Sequence, residues 1–236
     1  MHENILEISN LSSGYFNKEI IKKINVSIKR KEIVGVVGLN GSGKSTLLKT
    51  IFGLAEAYKG NIKLNGDDIT NLSTFNIIKK GIGFLPQEGP IFSELSIMQN
   101  LERAGAHSCN NNNLTLDQFI DLFPLLKRKQ SVRAGLLSGG EKRALSLALA
   151  LLSGRDLILL DEPSAGLSFA LSNSIIELVK KMNVELGVTM IVVEQNIEVV
   201  TKICDRMLIL KQGTICKEIK DHNDLSKEDI NKILFE

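Results

Sequence analysis

Charge of one sign is the first thing this 236-residue chain lacks. Its 29 Lys and Arg stand against 27 Asp and Glu, a net charge of +2, so no polyelectrolyte footprint points to nucleic acid or to an anionic membrane surface. A cysteine framework is missing too. Cys109, Cys204 and Cys216 are odd in number and share no metal-ligand spacing, which fits a reduced, cytosolic compartment. No long apolar run is present: the greasiest stretch, around Leu145–Leu152, is far short of the roughly 20 residues that a bilayer-crossing helix needs. Met1-His2-Glu3-Asn4 opens with no basic region followed by an apolar one, so no signal peptide is expected. Internal repeats are not evident. What remains is a chain that is 43% hydrophobic, enough for one large domain or a domain carrying a smaller lobe. Work at a membrane would have to run through partner subunits.

Hydrophobic periodicity supplies the framework. Ile24, Val26 and Ile28 alternate as a half-buried strand does, and Ile5, Leu6 and Ile8 suggest a companion, together an antiparallel flap ahead of the main fold. Ile33–Val37 reads as a short buried strand that enters a glycine-rich turn. A helix follows from about Lys44, with Gly53 placed to end it. Asn65-Gly66, between Ile62/Leu64 and Ile69, is a hairpin signal. Ile82–Leu85, Leu157–Leu160 and Val188–Val193 are further buried strands. A helix over Ala170–Leu186, closed by Gly187, lies between the last two, and such alternation predicts a parallel sheet with helices packed on it. The chain ends on a hairpin across Gln212-Gly213 and a short polar, helical tail. From Glu88 to Ser153 the signals are helical, with capping boxes at Ser96-x-x-Gln99 and Ser138-x-x-Glu141. Cys109–Asn113 reads as a polar surface loop. The predicted class is therefore α/β: a mainly parallel core over 1–87 and 154–236, with an N-terminal antiparallel β subdomain and an inserted helical lobe over 88–153.

Three stretches carry chemistry. Gly38-Leu39-Asn40-Gly41-Ser42-Gly43-Lys44-Ser45, followed by Thr46, matches the phosphate-binding loop G-x-x-x-x-G-K-[ST] in full. Its glycines let the backbone turn several N–H groups on one anion, and the next helix adds its positive end. Lys44 can reach the β- and γ-phosphates of a nucleotide, and the Ser45 hydroxyl is a hard oxygen ligand suited to Mg²⁺. Leu157–Leu160 runs into Asp161-Glu162, and a parallel sheet puts ligands at the carboxyl ends of its strands. Asp161 can thus hold Mg²⁺ through water, and Glu162 can accept a proton from an attacking water. Leu137-Ser138-Gly139-Gly140-Glu141 is a capped helix start with consecutive glycines that a cap does not require, so it reads as a second anion site. Two phosphate-binding helix ends on different lobes, with one γ-phosphate per ATP, suggest head-to-tail pairing in which each loop faces the other chain's Ser138–Gly140.

With those motifs in place, the whole chain resembles an ATP-binding subunit of an ABC (ATP-binding-cassette) transporter. The resemblance implies an ATPase using ATP and Mg²⁺, acting with transmembrane permease subunits and a second ATP-binding subunit, identical or related. It also implies a peripheral place at the cytoplasmic face of the inner or plasma membrane, with no nucleic-acid partner. By position, Tyr15 resembles the aromatic residue that stacks on adenine. Gln87 resembles the glutamine that touches Mg²⁺ and water, and Ser164-Ala165-Gly166-Leu167 the segment that crosses the dimer interface. The sequence departs from the pattern at Gln195, where the family usually has a histidine contacting the γ-phosphate, and at Ser168, where many members have aspartate. His2, His107 and His222 are too distant in sequence to substitute. Glutamine can donate to phosphate but does not titrate near neutral pH.

Val193-Glu194-Gln195-Asn196 is similar to one of the two ATP-binding subunits of branched-chain amino-acid importers. Gly83–Glu88 with Ile91-Phe92 resembles the lipopolysaccharide-export ATPase. Three alternatives stand beside a transport ATPase: a non-hydrolysing ATP-dependent dimerisation switch, a soluble member acting in translation or DNA repair, and a P-loop kinase. Intact Glu162 opposes the first. The soluble members usually carry two cassettes or a long coiled-coil insertion, which this chain does not have, and a kinase would lack Leu137–Glu141.

Overall fold

The computed structural model describes residues 3–105, 115–154, 156–220, 230 and 232–233. His2, His107, His222, Cys109–Asn113 and most of the expected polar tail lie outside the described residues.

β1 (Asn4–Tyr15) and β2 (Lys18–Lys29) form the expected antiparallel pair. They join β4 (Glu56–Leu64) and β5 (Asp67–Asp68) in a sheet of order β2-β1-β4-β5. The tight turns carry the left-handed backbone that closes such hairpins, at Asn65 (φ 53°) and Gly66 (φ 86°). β3 (Ile33–Val37) opens the second sheet, followed by α1 (Lys44–Ile51), which does end before Gly53 at φ 75°. α2 (Thr74–Lys79) leads into β6 (Ile82–Leu85).

The next stretch is helical among the described residues: α3 (Ile97–Gly105), α4 (Leu116–Ile120), α5 (Pro124–Lys127) and α6 (Gly139–Ser153). Both predicted capping boxes form, and a third, Thr115 with Gln118, starts α4. The chain returns through β7 (Leu157–Asp161), α7 (Phe169–Leu186), β8 (Thr189–Glu194), α8 (Ile197–Ile203), β9 (Arg206–Lys211) and β10 (Thr214–Ile219).

The second sheet has the order β10-β9-β3-β8-β7-β6, parallel from β9 to β6, with β10 antiparallel at the edge. β3, β6, β7 and β8 are buried along their whole length, as strands covered on both faces must be. Alternate residues serve alternate faces. Val34, Val36, Leu157 and Leu159 pack toward α1 and the antiparallel sheet, while Ile158, Leu160, Met190 and Val192 pack toward α6, α7 and α8. Gly35 faces α8 so closely that a Cβ there would stand 2.1 Å from Val200 Cγ1. The sheet edges β2 and β10 flank a cleft of about 740 Å³. Arg206 closes its floor, donating to Glu32 Oε1 (2.6 Å), to Glu218 Oε1 (2.9 Å) and to the Ser27 carbonyl. That cation is already satisfied, and the cleft joins the sheets rather than offering a charged ligand site.

Candidate functional site

Sheet order decides which residues meet. β3, β8, β7 and β6 are consecutive neighbours and parallel, so their carboxyl ends lie side by side. The glycine-rich loop leaves β3, Gln195 follows β8, Asp161 ends β7 with Glu162 next, and Gln87 follows β6. A cleft of about 430 Å³ brings them together, lined by Asn40, Gly41, Gly43, Lys44, Ser45, Thr46, Gln87, Glu162 and Gln195, with Ile20 as a wall from the antiparallel hairpin. Tyr15 lies outside that lining, at the half-buried end of β1, beside a turn in which Phe16 is fully exposed.

The loop needs its glycines for separate reasons. Gly41 (φ 78°) and Gly43 (φ 105°) adopt backbone that side-chain-bearing residues rarely take, and Gly43 caps α1. Gly38 has no room: a Cβ would stand 2.3 Å from the Leu210 carbonyl oxygen. Lys44 is 5% exposed and its Nζ donates to the carbonyls of Gly38 (2.8 Å) and Leu39 (3.0 Å), so the cation is held inside the loop. Burial pulls its ammonium below the ordinary lysine range, and the charges of Glu162, Asp161 and Glu194 work the other way.

Ser45 Oγ donates to Asp161 Oδ1 at 3.0 Å. Burial raises the Asp161 carboxyl above its usual range; the Ser45 hydrogen bond opposes this and the charge of Glu162 adds to it. Glu162 sits at φ 49° immediately before Pro163, a strained backbone that the surroundings must enforce. Both its carboxylate oxygens are used. Gln195 Nε2 donates to Oε1 at 2.5 Å and Gln87 Nε2 to Oε2 at 3.2 Å. Gln195, expected against a phosphate, is thus also a direct partner of Glu162.

Ser138, Gly139 and Gly140 are not part of this cleft. They begin α6, where Ser138 Oγ donates to Glu141 Oε2 (2.9 Å), and the Lys129 ammonium together with the cap holds Glu141 below its usual range. The two glycines differ. A Cβ on Gly140 would press on Leu171 Cδ2 at 2.8 Å, so packing against α7 explains it, whereas Gly139 is exposed and a Cβ there would meet only Leu167 Cδ2, at 4.0 Å, so packing does not require its glycine. Ser168 supplies the N-cap backbone of α7 without a side-chain cap bond.

Two buried charges escaped the sequence reading. Glu194, 3% exposed, accepts from Ser164 N (2.9 Å) and Ser164 Oγ (2.7 Å), and burial raises its carboxyl. Arg143, 8% exposed, donates to main-chain carbonyls on both sides of Glu162. A lone carboxylate closing the otherwise uncharged β8 could have flagged Glu194; no spacing signal marks Arg143.

Hard oxygen donors suit a divalent cation of the Mg²⁺ kind, which takes few protein ligands and completes its shell with phosphate and water. Ser45 and Asp161 fit that demand, and among the described residues no cluster of His, Cys, Asp or Glu would make a protein-only metal cage.

Comparison with known proteins follows the same lines. A family model described as ABC transporter matches residues 21–165. A probable branched-chain amino acid transport ATP-binding protein of Archaeoglobus fulgidus is 36% identical over 230 residues, covering 94% of this chain and 97% of the relative. A lipopolysaccharide export system ATP-binding protein of Haemophilus influenzae is 28% identical over 234 residues, covering 98% and 96%. Among solved structures, a protein of Clostridium perfringens that is part of an ABC transporter complex superposes with a TM-score of 0.83 at 26% identity, over 98% of this chain and 94% of that one. A dimeric bacterial ABC transporter cassette gives 0.78 at 26% identity, over 91% and 98%.

Proposed function

This chain belongs to the ABC transporter family as an ATP-binding cassette, an ATPase whose hydrolysis is coupled to transport, and from that premise we propose how its own residues do the work. The observation that carries the reading is the single cleft in which Lys44, Ser45, Gln87, Glu162 and Gln195 converge. The backbone N–H groups of the Gly38–Ser45 loop and Lys44 hold the β- and γ-phosphates of ATP, with Thr46 lining the same cleft. Tyr15 stacks on adenine, from the hairpin whose Ile20 walls the cleft. Ser45, Asp161 and the side-chain oxygen of Gln87 hold Mg²⁺, which when bound neutralises charge on the phosphate oxygens. Glu162 accepts a proton from the attacking water as the water oxygen bonds to the γ-phosphorus and the bond to the leaving ADP breaks. Gln195 orients Glu162 and donates to the γ-phosphate.

ABC cassettes act with transmembrane subunits and form dimers. Here the dimer is proposed to be head-to-tail, with the exposed Ser138–Gly139 of one chain completing the site around the other chain's ATP. Ser138 and Gly139 are exposed and do not line their own chain's cleft, which supports this reading. A second cavity of about 380 Å³ is lined by Gln87, Gly89, Ile91 and Ser93 and also by Gly139 and residues 165–167; its first part, with Phe92 exposed beside it, is proposed to receive a segment of a transmembrane partner. Among the described residues no helix is long and apolar enough to cross a membrane, so the link to one runs through such partners. The cargo is proposed to be a branched-chain amino acid, on the strength of relatives at 36% identity. An export role is less supported, by the relative at 28%. Ser138→Arg tests the trans arrangement: ATP binding by the monomer persists while turnover is lost. A parallel loss of both would place Ser138 in its own chain's site.

A further inference from the structure

Arg143 stands on the first turns of α6, five residues after Ser138, and is 8% exposed. Its five hydrogen bonds all go to main-chain carbonyls. Nε donates to Pro163 (2.8 Å), Nη1 to Pro86 (3.1 Å) and Gln87 (2.9 Å), and Nη2 to Asp161 (3.0 Å) and Glu162. The planar fork of a guanidinium is the one side chain that can reach so many acceptors at fixed angles. Three of the acceptors are consecutive and straddle Glu162, whose φ of 49° needs external support.

The same segment is gripped from its other side by β8. Glu162 N donates to the Val193 carbonyl (2.9 Å), and Ser164 N donates to Glu194 Oε1 (2.9 Å). The Pro163–Ser164 peptide is therefore held at both ends, its oxygen by Arg143 and its N–H by Glu194. α6 meets the segment after β6 a second time, where a Cβ on Gly89 would stand 2.0 Å from Ser146 Oγ.

We infer that Arg143 is a positioning residue that locks three parts into one piece: the backbone carrying Gln87, the backbone carrying Glu162, and the helix that begins at Ser138–Gly140. A chain's own catalytic carboxylate and the glycines it offers to its partner's ATP then move together, so closure at one composite site is transmitted to the other. This rests on the roles proposed above for Glu162 and Ser138–Gly140. It adds a residue that touches neither nucleotide.

The test compares the full-length wild type with Arg143→Met, Arg143→Lys and Glu162→Gln. Hydrogen exchange is followed in residues 86–91 and 161–167, alongside ATP affinity, phosphate release and thermal unfolding. In Arg143→Met, exchange rises in both segments together while the loop around Lys44 keeps its protection. ATP affinity stays within about threefold of wild type, and kcat falls on the order of 10- to 100-fold, the scale of a reacting group misplaced by about an ångström. Arg143→Lys, which keeps the charge and part of the donor set, recovers some of kcat. Exchange that rises in only one segment, or ATP affinity that falls in step with kcat, overturns the inference. If Arg143→Met does not fold, Arg143→Lys decides by the same measurements; if neither folds, the residue is structural and the inference fails. Glu162→Gln is read separately, since full turnover there would refute the proposed role of Glu162 whatever the exchange data say.

Discussion

Gln195 stands where the family resemblance implies a histidine, and replacing it gives the most informative test of the proposed site. Its Nε2 donates to Glu162 Oε1 at 2.5 Å, a charge-assisted contact, and Gln87 holds the other carboxylate oxygen at the longer 3.2 Å. Gln195→Ala leaves Glu162 with the weaker tether alone. A hydrogen bond to a charged group contributes about 1.5–3 kcal/mol, and at about 1.36 kcal/mol per decade of rate this converts to a loss of about 10- to 150-fold in kcat. ATP affinity should fall less than turnover, because the loop and Lys44 proposed to hold the phosphates are untouched and only the proposed γ-phosphate contact of Gln195 is lost. Gln195→His should keep most of the activity and add something the wild type lacks, a titrating group against Glu162. The neighbouring carboxylate favours the imidazolium, so the new inflection in the rate profile falls at or above the ordinary histidine value of about 6.5. Steady-state phosphate release from about pH 5.5 to 9, with nucleotide affinity measured separately, reads both effects. Turnover by Gln195→Ala within twofold of wild type would refute the claim that this contact positions the carboxylate.

Two further outcomes follow from the same geometry. Lys44→Ala removes a cation that waits on the Gly38 and Leu39 carbonyls, and ATP affinity should fall by about 10-fold or more, measured by calorimetry at physiological Mg²⁺. Asp161→Asn should abolish turnover yet raise the melting temperature of the nucleotide-free chain near neutral pH. The folded chain holds the Asp161 proton more tightly than the unfolded one, so ionisation costs stability in full above the folded pKa and not at all below the ordinary carboxylate value. The advantage of the variant therefore shrinks as pH falls toward about 4, with each kcal/mol visible as about 2–4 °C; a gain independent of pH would mean that ionisation of Asp161 is not its source.

The buried strands were legible because covering a sheet on both faces demands short continuous apolar runs, and here each run leads directly into a motif. The antiparallel sheet was only half legible. The second half of β1, Ser12-Ser13-Gly14-Tyr15, is polar, yet Ser12 and Ser13 are buried, their hydroxyls bonded to Lys23 N and Thr50 Oγ1. Such pairing across the fold leaves no periodicity. α8 was missed although Asn196 caps it by accepting from Glu198 N at 2.9 Å; a residue read for its chemistry also started a helix. The Thr115-x-x-Gln118 box was present in the sequence but follows a polar, asparagine-rich run that draws no attention to it. Most of the cleft's lining was readable, since the loop, Glu162 and both glutamines sit at strand ends. Arg143 was not, because its partners lie 18 to 57 residues away in sequence and are all main-chain atoms, whose identity no side chain records.

Register explains why a glutamine can stand at the end of β8. Asp161 is paired with Val193 in the parallel ladder, so Glu162 comes level with Glu194 and diagonal to Gln195. Successive side chains on a strand alternate faces. Glu194 therefore turns away from the cleft to meet Ser164, and Gln195 turns in to meet Glu162. Slipping β8 by one residue would exchange them, setting a carboxylate against a carboxylate. What forbids the slip is remote from the chemistry. Met190 and Val192 are committed to the face carrying α6, α7 and α8, and Ile191 and Val193 to the face carrying α1, all buried. A shift would invert every one of those contacts. The apolar run thus selects which polar residue faces the cleft, and the geometry around Glu162 is held by packing, by two amides and by main-chain bonds. None of these titrates near neutral pH, so the Glu162 carboxylate is oriented without a histidine.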